Sequence, residues 1–165
     1  MYKKMTQNGF SLIELIVVIS IIGILTGISV NVYRNAVNER KMHVDVGLVT
    51  GIIEEIKQKA RARDISPNGN CTNFQSYDLV VNPTSNTLSQ QFVCDGNTIS
   101  VADYPLENTT IEQPASITRL SFIAPMGQHT SSALTIVLKN RSTKMCISIQ
   151  IPQVQTVIVS DPYSC

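Results

Sequence analysis

The sequence predicts an α+β protein: one long N-terminal helix laid on an antiparallel β-sheet head. Three observations predict it. Residues 10–30 form an apolar run with one charge, Glu14. A helical pattern continues from there to about residue 63, with no proline before Pro67. After DISPNGN, residues 64–70, the pattern changes to period two.

The apolar run has 21 residues. At 1.5 Å per residue it spans about 31 Å, the thickness of a bilayer core. Beyond it, Tyr33, Val37, Val44, Leu48, Ile52 and Ile56 recur at spacings of four and seven, with Arg34, Asn38, Lys41, Asp45, Glu55 and Lys59 on other faces. These residues predict one helix of roughly 80 Å from about residue 11 to 63, apolar all round in its first half and amphipathic in its second. Two glycine pairs, Gly23/Gly27 and Gly47/Gly51, interrupt it. Each Gly lowers helix stability by about 1 kcal/mol relative to Ala. Gly23/Gly27 admit two readings: close approach or local melting of helices, and simple tolerance of a small residue.

The head begins where the breakers of DISPNGN end the helix. Strands are expected at 74–81, 90–94, 97–102, 117–124, 133–139 and 144–151, with a last one at 154–159. Asp95-Gly96 is a hairpin signal, and NRST, residues 140–143, reads as another turn. The Pro/Asn/Thr-rich segment 103–116 reads as a surface loop.

Charge and cysteine content narrow the function classes. Net charge is +1, so no overall field draws the chain to nucleic acid or anionic lipid. Residues 64–165 carry four Lys/Arg against seven Asp/Glu, a mildly acidic head. Cys71, Cys94, Cys146 and Cys165 all lie in that half, and no C-x-x-C occurs. Two disulfides in an oxidising compartment are expected, with buried free thiols as the competing reading. Of the three pairings, Cys71–Cys94 and Cys146–Cys165 are favoured because each joins sequence neighbours. Each loop could contribute about 3 kcal/mol in the chain-entropy model.

No catalytic residues and no cofactor are expected. G-x-S-x-G, P-loop, H-E-x-x-H and EF-hand patterns are absent. His43 and His129 stand alone in the sequence and read as surface residues, with no metal-ligand spacing. Asp103 and Glu107 lack the oxygen-rich arrangement of a calcium loop.

The N-terminal run needs an account of Glu14. A carboxylate at a bilayer centre costs roughly 2.5–3.5 kcal/mol on insertion scales. A secretory signal would be shorter and followed by a small-x-small cleavage site, and NVYRNAVNERK, residues 31–41, offers none. A plain anchor explains the length but not the charge. Lys3 and Lys4 before the span nearly balance Arg34, Arg40 and Lys41 after it, so the cysteines decide the orientation, with the head outside.

KKMTQNGFSLIELIVVISIIGIL, residues 3–25, resembles the prepilin N-terminal signal of the type IV pilin-like superfamily. Basic leader, Gly-Phe, Ser-Leu-Ile-Glu-Leu and apolar run occur in that order. The resemblance implies cleavage between Gly9 and Phe10 by a prepilin peptidase, methylation of the new Phe10 amine, and a register role for Glu14 against the amine of a neighbouring subunit. It also implies a type IV pilin-like roll. The chain then divides into a leader (1–9), a transmembrane and filament-core helix (10–30), its amphipathic continuation (31–63) and a disulfide-bearing β head (64–165). Many relatives carry a proline just after the apolar run, and none stands here.

The head resembles the GspH/FimT-like minor pilins and minor pseudopilins, on RLSFIAPMGQ (119–128), ALTIVLKN (133–140) and KMCISIQIPQVQTVIVS (144–160) with the terminal cysteine. Pro152 stands where that family often has a glycine. The implied function is a minor subunit of a type IV pilus, with a minor pseudopilin of type II secretion and a DNA-uptake or adhesive tip subunit as alternatives. Implied partners are other pilin or pseudopilin subunits, the peptidase and an inner-membrane assembly platform. The implied location is a single pass in the inner membrane with the head outside, then a filament. For nucleic acid the footprint is weak: the tail SDPYSC has no basic residue, leaving Arg119, Lys139, Arg141 and Lys144 around one turn.

Overall fold

The computed structural model describes residues 12–67, 69–129, 133–153 and 156–165. One long helix and an antiparallel β head make it an α+β protein. Two compact units divide it at Val37/Asn38. The helix, α1, runs Leu12–Ala62. Gly9 and Phe10 lie outside the described residues.

The head half of α1 is held by a buried stripe of Met42, Val46, Val49, Ile53, Ile56 and Ala60, flanked by Asp45 and Ile52. These recur at spacings of three and four, the core face of an amphipathic helix. The stripe is not the one the spacings of four and seven predict. Of that set Ile52 and Ile56 are buried, but Tyr33, Val44 and Leu48 are exposed at 70%, 66% and 37%. This helix carries apolar residues on more than one face, and facing strands choose which one is covered.

α1 stops through a cap rather than through a proline. Arg63 N–H donates to Ala60 O (3.2 Å) and Asp64 N–H to Lys59 O (3.0 Å), with Arg63 at φ 49°. That is the Schellman arrangement, with arginine at the left-handed position where glycine is usual. Tyr77 Oη donates to Asp64 O at 2.9 Å and ties the cap to the first strand. Burial, then the charges of Asp64 and Glu55, raise the Tyr77 phenol above its ordinary value, so it stays a donor.

The strands form two sheets where the sequence reading has one. Strands β1 (Phe74–Asn82), β2 (Thr87–Cys94), β3 (Asn97–Pro105), β5 (Thr118–Ile123) and β6 (Gln128–His129) pair in the order β3-β2-β1-β5-β6. Strands β4 (Thr109–Gln113), β7 (Leu134–Asn140), β8 (Met145–Ile151) and β10 (Tyr163–Ser164) pair as β10-β8-β7-β4, with β9 (Ile158–Val159) also on β8. The β2–β3 turn places Asp95 at φ 52° and Gly96 at φ 78°, the left-handed pair that a two-residue hairpin requires. Alternate residues point inward: Leu88 and Phe92, Leu120 and Phe122, Ile136 and Leu138, and Ile147, Ile149 and Ile151 are buried in one core with α1.

Two further expectations are corrected. Segment 103–116 is not a surface loop: it holds the end of β3 and all of β4, and Leu106 and Thr109 are buried. His129 is not a surface residue either. It is buried, stacks edge-on against Phe122, and places Nε2 3.1 Å from Ile151 O, linking β6 to β8 across the sheets. Its sequence context, a short run between turns, gives no sign of that contact.

Gly127 closes the β5–β6 turn at φ 62° and must be glycine. A Cβ there would sit 2.7 Å from Lys57 O and 2.9 Å from Arg61 Cγ. The turn therefore lies directly on α1, and Arg61 Nε donates to Met126 O at 2.9 Å.

Candidate functional site

None of the described residues of the first unit is buried. Every described side chain from Leu12 to Leu25 is exposed, Leu12 at 76% and Ile13 at 69%. So large an unbroken apolar surface marks contact with lipid or with another protein. Its polar atoms are already satisfied. Ser20 Oγ donates to Ile16 O (2.8 Å), Thr26 Oγ1 to Ile22 O (2.7 Å) and Ser29 Oγ to Leu25 O (2.8 Å). With hydroxyls folded back onto the preceding turn and backbone bonds internal, this segment suits an apolar medium. The helix is long and apolar enough to cross a membrane. It is consistent with a single-pass anchor.

Glu14 stands in the first described turn of α1. A Cβ added at Gly23 or Gly27 would meet no described atom within 4 Å. Among the described residues no side-chain volume limit falls on either position.

In the head, the polar contacts hold structure. Asp45, expected on the solvent face of α1, is buried and accepts four hydrogen bonds. They come from Asn108 N (3.0 Å), Asn108 Nδ2 (2.9 Å), Thr109 N (2.9 Å) and Thr109 Oγ1 (2.8 Å). Asn86, from the β1–β2 turn, donates to Leu106 O and Thr109 O and accepts from Ile111 N. Arg141 donates to the same two carbonyls from the β7–β8 turn. The start of β4 is thus held from three sides, by residues whose sequence positions carry no shared signal.

Disulfides join Cys71 to Cys94 (Cα–Cα 5.9 Å) and Cys146 to Cys165 (Cα–Cα 5.2 Å). Cys71, Cys94 and Asp95 cluster closely enough for a metal, but both sulfurs are consumed in the disulfide and a metal needs thiolate. The Asp95 carboxylate is engaged as well, accepting from Thr72 Oγ1 (2.8 Å), Asn73 N (2.9 Å) and Thr72 N (3.2 Å). Those bonds, the Thr72 hydroxyl first, hold its pKa below the ordinary carboxylate value. Asp103 and Glu107 belong to no such cluster among the described residues.

Of the basic residues weighed for nucleic acid, Lys139, Arg141 and Lys144 flank the β7–β8 turn, and Arg119 lies on the other sheet. Arg119 lies on β5, paired with Asp78 and Gln91. Lys139 pairs with Glu112 and Arg141 is turned onto backbone carbonyls. His43 is exposed on α1.

Comparison with known proteins adds two findings. The family model described as the prokaryotic N-terminal methylation motif matches residues 4–30. A relative, the type IV major fimbrial protein FimA of Dichelobacter nodosus, is 35% identical over 69 residues, 42% of this chain and 39% of the relative's length. The chain thus matches well under half of that relative. No solved structure matches the chain.

Proposed function

We propose that this type IV pilin-like chain is a prepilin, cut between Gly9 and Phe10, methylated on the Phe10 amine and assembled into a type IV pilus. The observation that carries the proposal is the pairing of a methylation motif over residues 4–30 with a helix whose apolar side chains are left uncovered. Such a helix has two environments available in succession. The bilayer covers it while the subunit waits, and neighbouring helices cover it in the filament. Gly23 and Gly27, where an added Cβ would meet no described atom, suit close helix approach in the second environment.

The roles of the N-terminal residues follow from charge. Cleavage after Gly9 creates an ammonium group at Phe10. A carboxylate and an ammonium removed from water are tolerated when paired. Glu14 lies one helical turn along and meets the amine of a neighbouring subunit, which fixes axial register because a mispaired charge is costly. The head faces the periplasm or the outside, where disulfides persist. The peptidase and an inner-membrane assembly platform are the partners this route requires. The head cues in residues 119–160 support the minor branch, whose subunits occur at low copy number in purified filaments.

The test is Glu14→Ala. The variant is processed normally but incorporates poorly into filaments. Normal incorporation would remove Glu14 from register setting.

A further inference from the structure

Beside the C-terminal end of α1, the head carries an open concavity of about 410 Å³, lined by Arg63, Ile65, Asn73, Phe74, Gln75 and Ala124 together with Cys71 and Thr72. We propose that it binds an acidic sugar, a pyranose carrying a carboxylate. The inference goes beyond filament assembly and does not depend on it.

Three observations carry it. First, the guanidinium of Arg63 has no partner among the described residues, whereas those of Arg61, Arg119 and Arg141 are all bonded to protein. A free, planar guanidinium in a concavity suits bidentate capture of a carboxylate. Second, Arg63 sits at the left-handed C′ position of the helix cap, φ 49°, where glycine is the default. A long cation stands at a left-handed position that glycine fills at least cost, and such strain gathers at functional sites. The cap bonds to Ala60 and Lys59 fix where its side chain starts.

Third, the remaining lining is graded in polarity. The side-chain amides of exposed Asn73 and Gln75 have no hydrogen bond among the described residues. They offer donors and acceptors to ring hydroxyls. Ile65 and half-buried Phe74 supply an apolar side for a ring face. Neither nearby carboxylate is paired with Arg63: Asp64 accepts from Ser66 N, and Asp95 from Thr72 and Asn73. The volume falls at the small end of ligand sites, about 300–1,000 Å³, and suits one ring rather than a long chain. A peptide C-terminus also presents a carboxylate, and triglycine is the probe that separates it from the sugar.

The test uses the full chain in detergent, titrated with glucuronate, glucose and triglycine and read by saturation-transfer NMR. Glucuronate binds with an affinity on the order of millimolar. Arg63→Gly weakens that binding at least about tenfold, the effect of losing a charge-assisted pair. Glycine suits the left-handed position, so the variant keeps or exceeds the wild-type melting temperature. Gln75→Ala weakens binding less. The proposal is overturned if glucuronate does not bind saturably, if Arg63→Gly binds it as well as wild type, if glucose binds equally, or if triglycine binds more tightly than glucuronate.

Discussion

Thr109 gives both its backbone N–H and its hydroxyl to Oδ2 of Asp45, at 2.9 and 2.8 Å, across 64 positions of sequence. Asn108 Nδ2 donates to the other oxygen, Oδ1, and its backbone N–H gives Oδ2 a third bond. One carboxylate on α1 thereby organises the start of β4, and both Asp45 and Thr109 are buried.

Asp45→Ala should therefore unfold the head more readily than any surface charge deletion. Losing the acceptor strands buried donors, at a cost of roughly 3 kcal/mol. Denaturant titration of the full chain in detergent measures it. Glu55→Ala, which removes the outer partner of Lys59, should change stability by no more than about 0.5 kcal/mol.

The tail depends on its disulfide. Residues Tyr163 and Ser164 pair with β8 through only two positions before Cys165 closes onto Cys146. The Cys146→Ser/Cys165→Ser double variant should lose about 3 kcal/mol. Hydrogen exchange should show fast exchange at residues 158–165 and unchanged protection in β1 and β2.

Thr72 should control the titration of Asp95. The native pKa of Asp95 lies below its ordinary 3.8, chiefly through the Thr72 hydroxyl and N–H. A depressed native pKa gives stability that is fully present above 3.8 and lost as pH falls through the native value. Thr72→Ala should raise the Asp95 pKa toward 3.8 and move that loss to higher pH. Carboxyl chemical shifts followed over pH 1–6, about the range in which native carboxylates titrate, measure both.

The fold class was legible because two periodicities meet at a clear break. The apolar run, the uninterrupted helical pattern and the alternation of residues such as Leu120/Phe122 and Ile136/Leu138 need no tertiary information. The buried face of α1 was less legible. Val44 and Leu48 fit one helical stripe, and Met42, Val46, Val49 and Ile53 fit another; spacing alone cannot choose between them. Segment 103–116 was misread because proline, asparagine and threonine signal loops when nothing holds them, and here Asp45, Asn86 and Arg141 do. The N-terminal motif was readable because its residues are consecutive. The concavity by Arg63 was not, since it is built from residues 63, 65, 71–75 and 124.

The central claim is that this chain becomes a filament subunit by processing at its N-terminus. The most direct measurement is mass spectrometry of the N-terminal peptide from the protein in purified filaments. The account predicts an N-terminal peptide that begins at Phe10 and carries one methyl group on its amine. A chain that begins at Met1, or a Phe10 terminus without the methyl group, would contradict it.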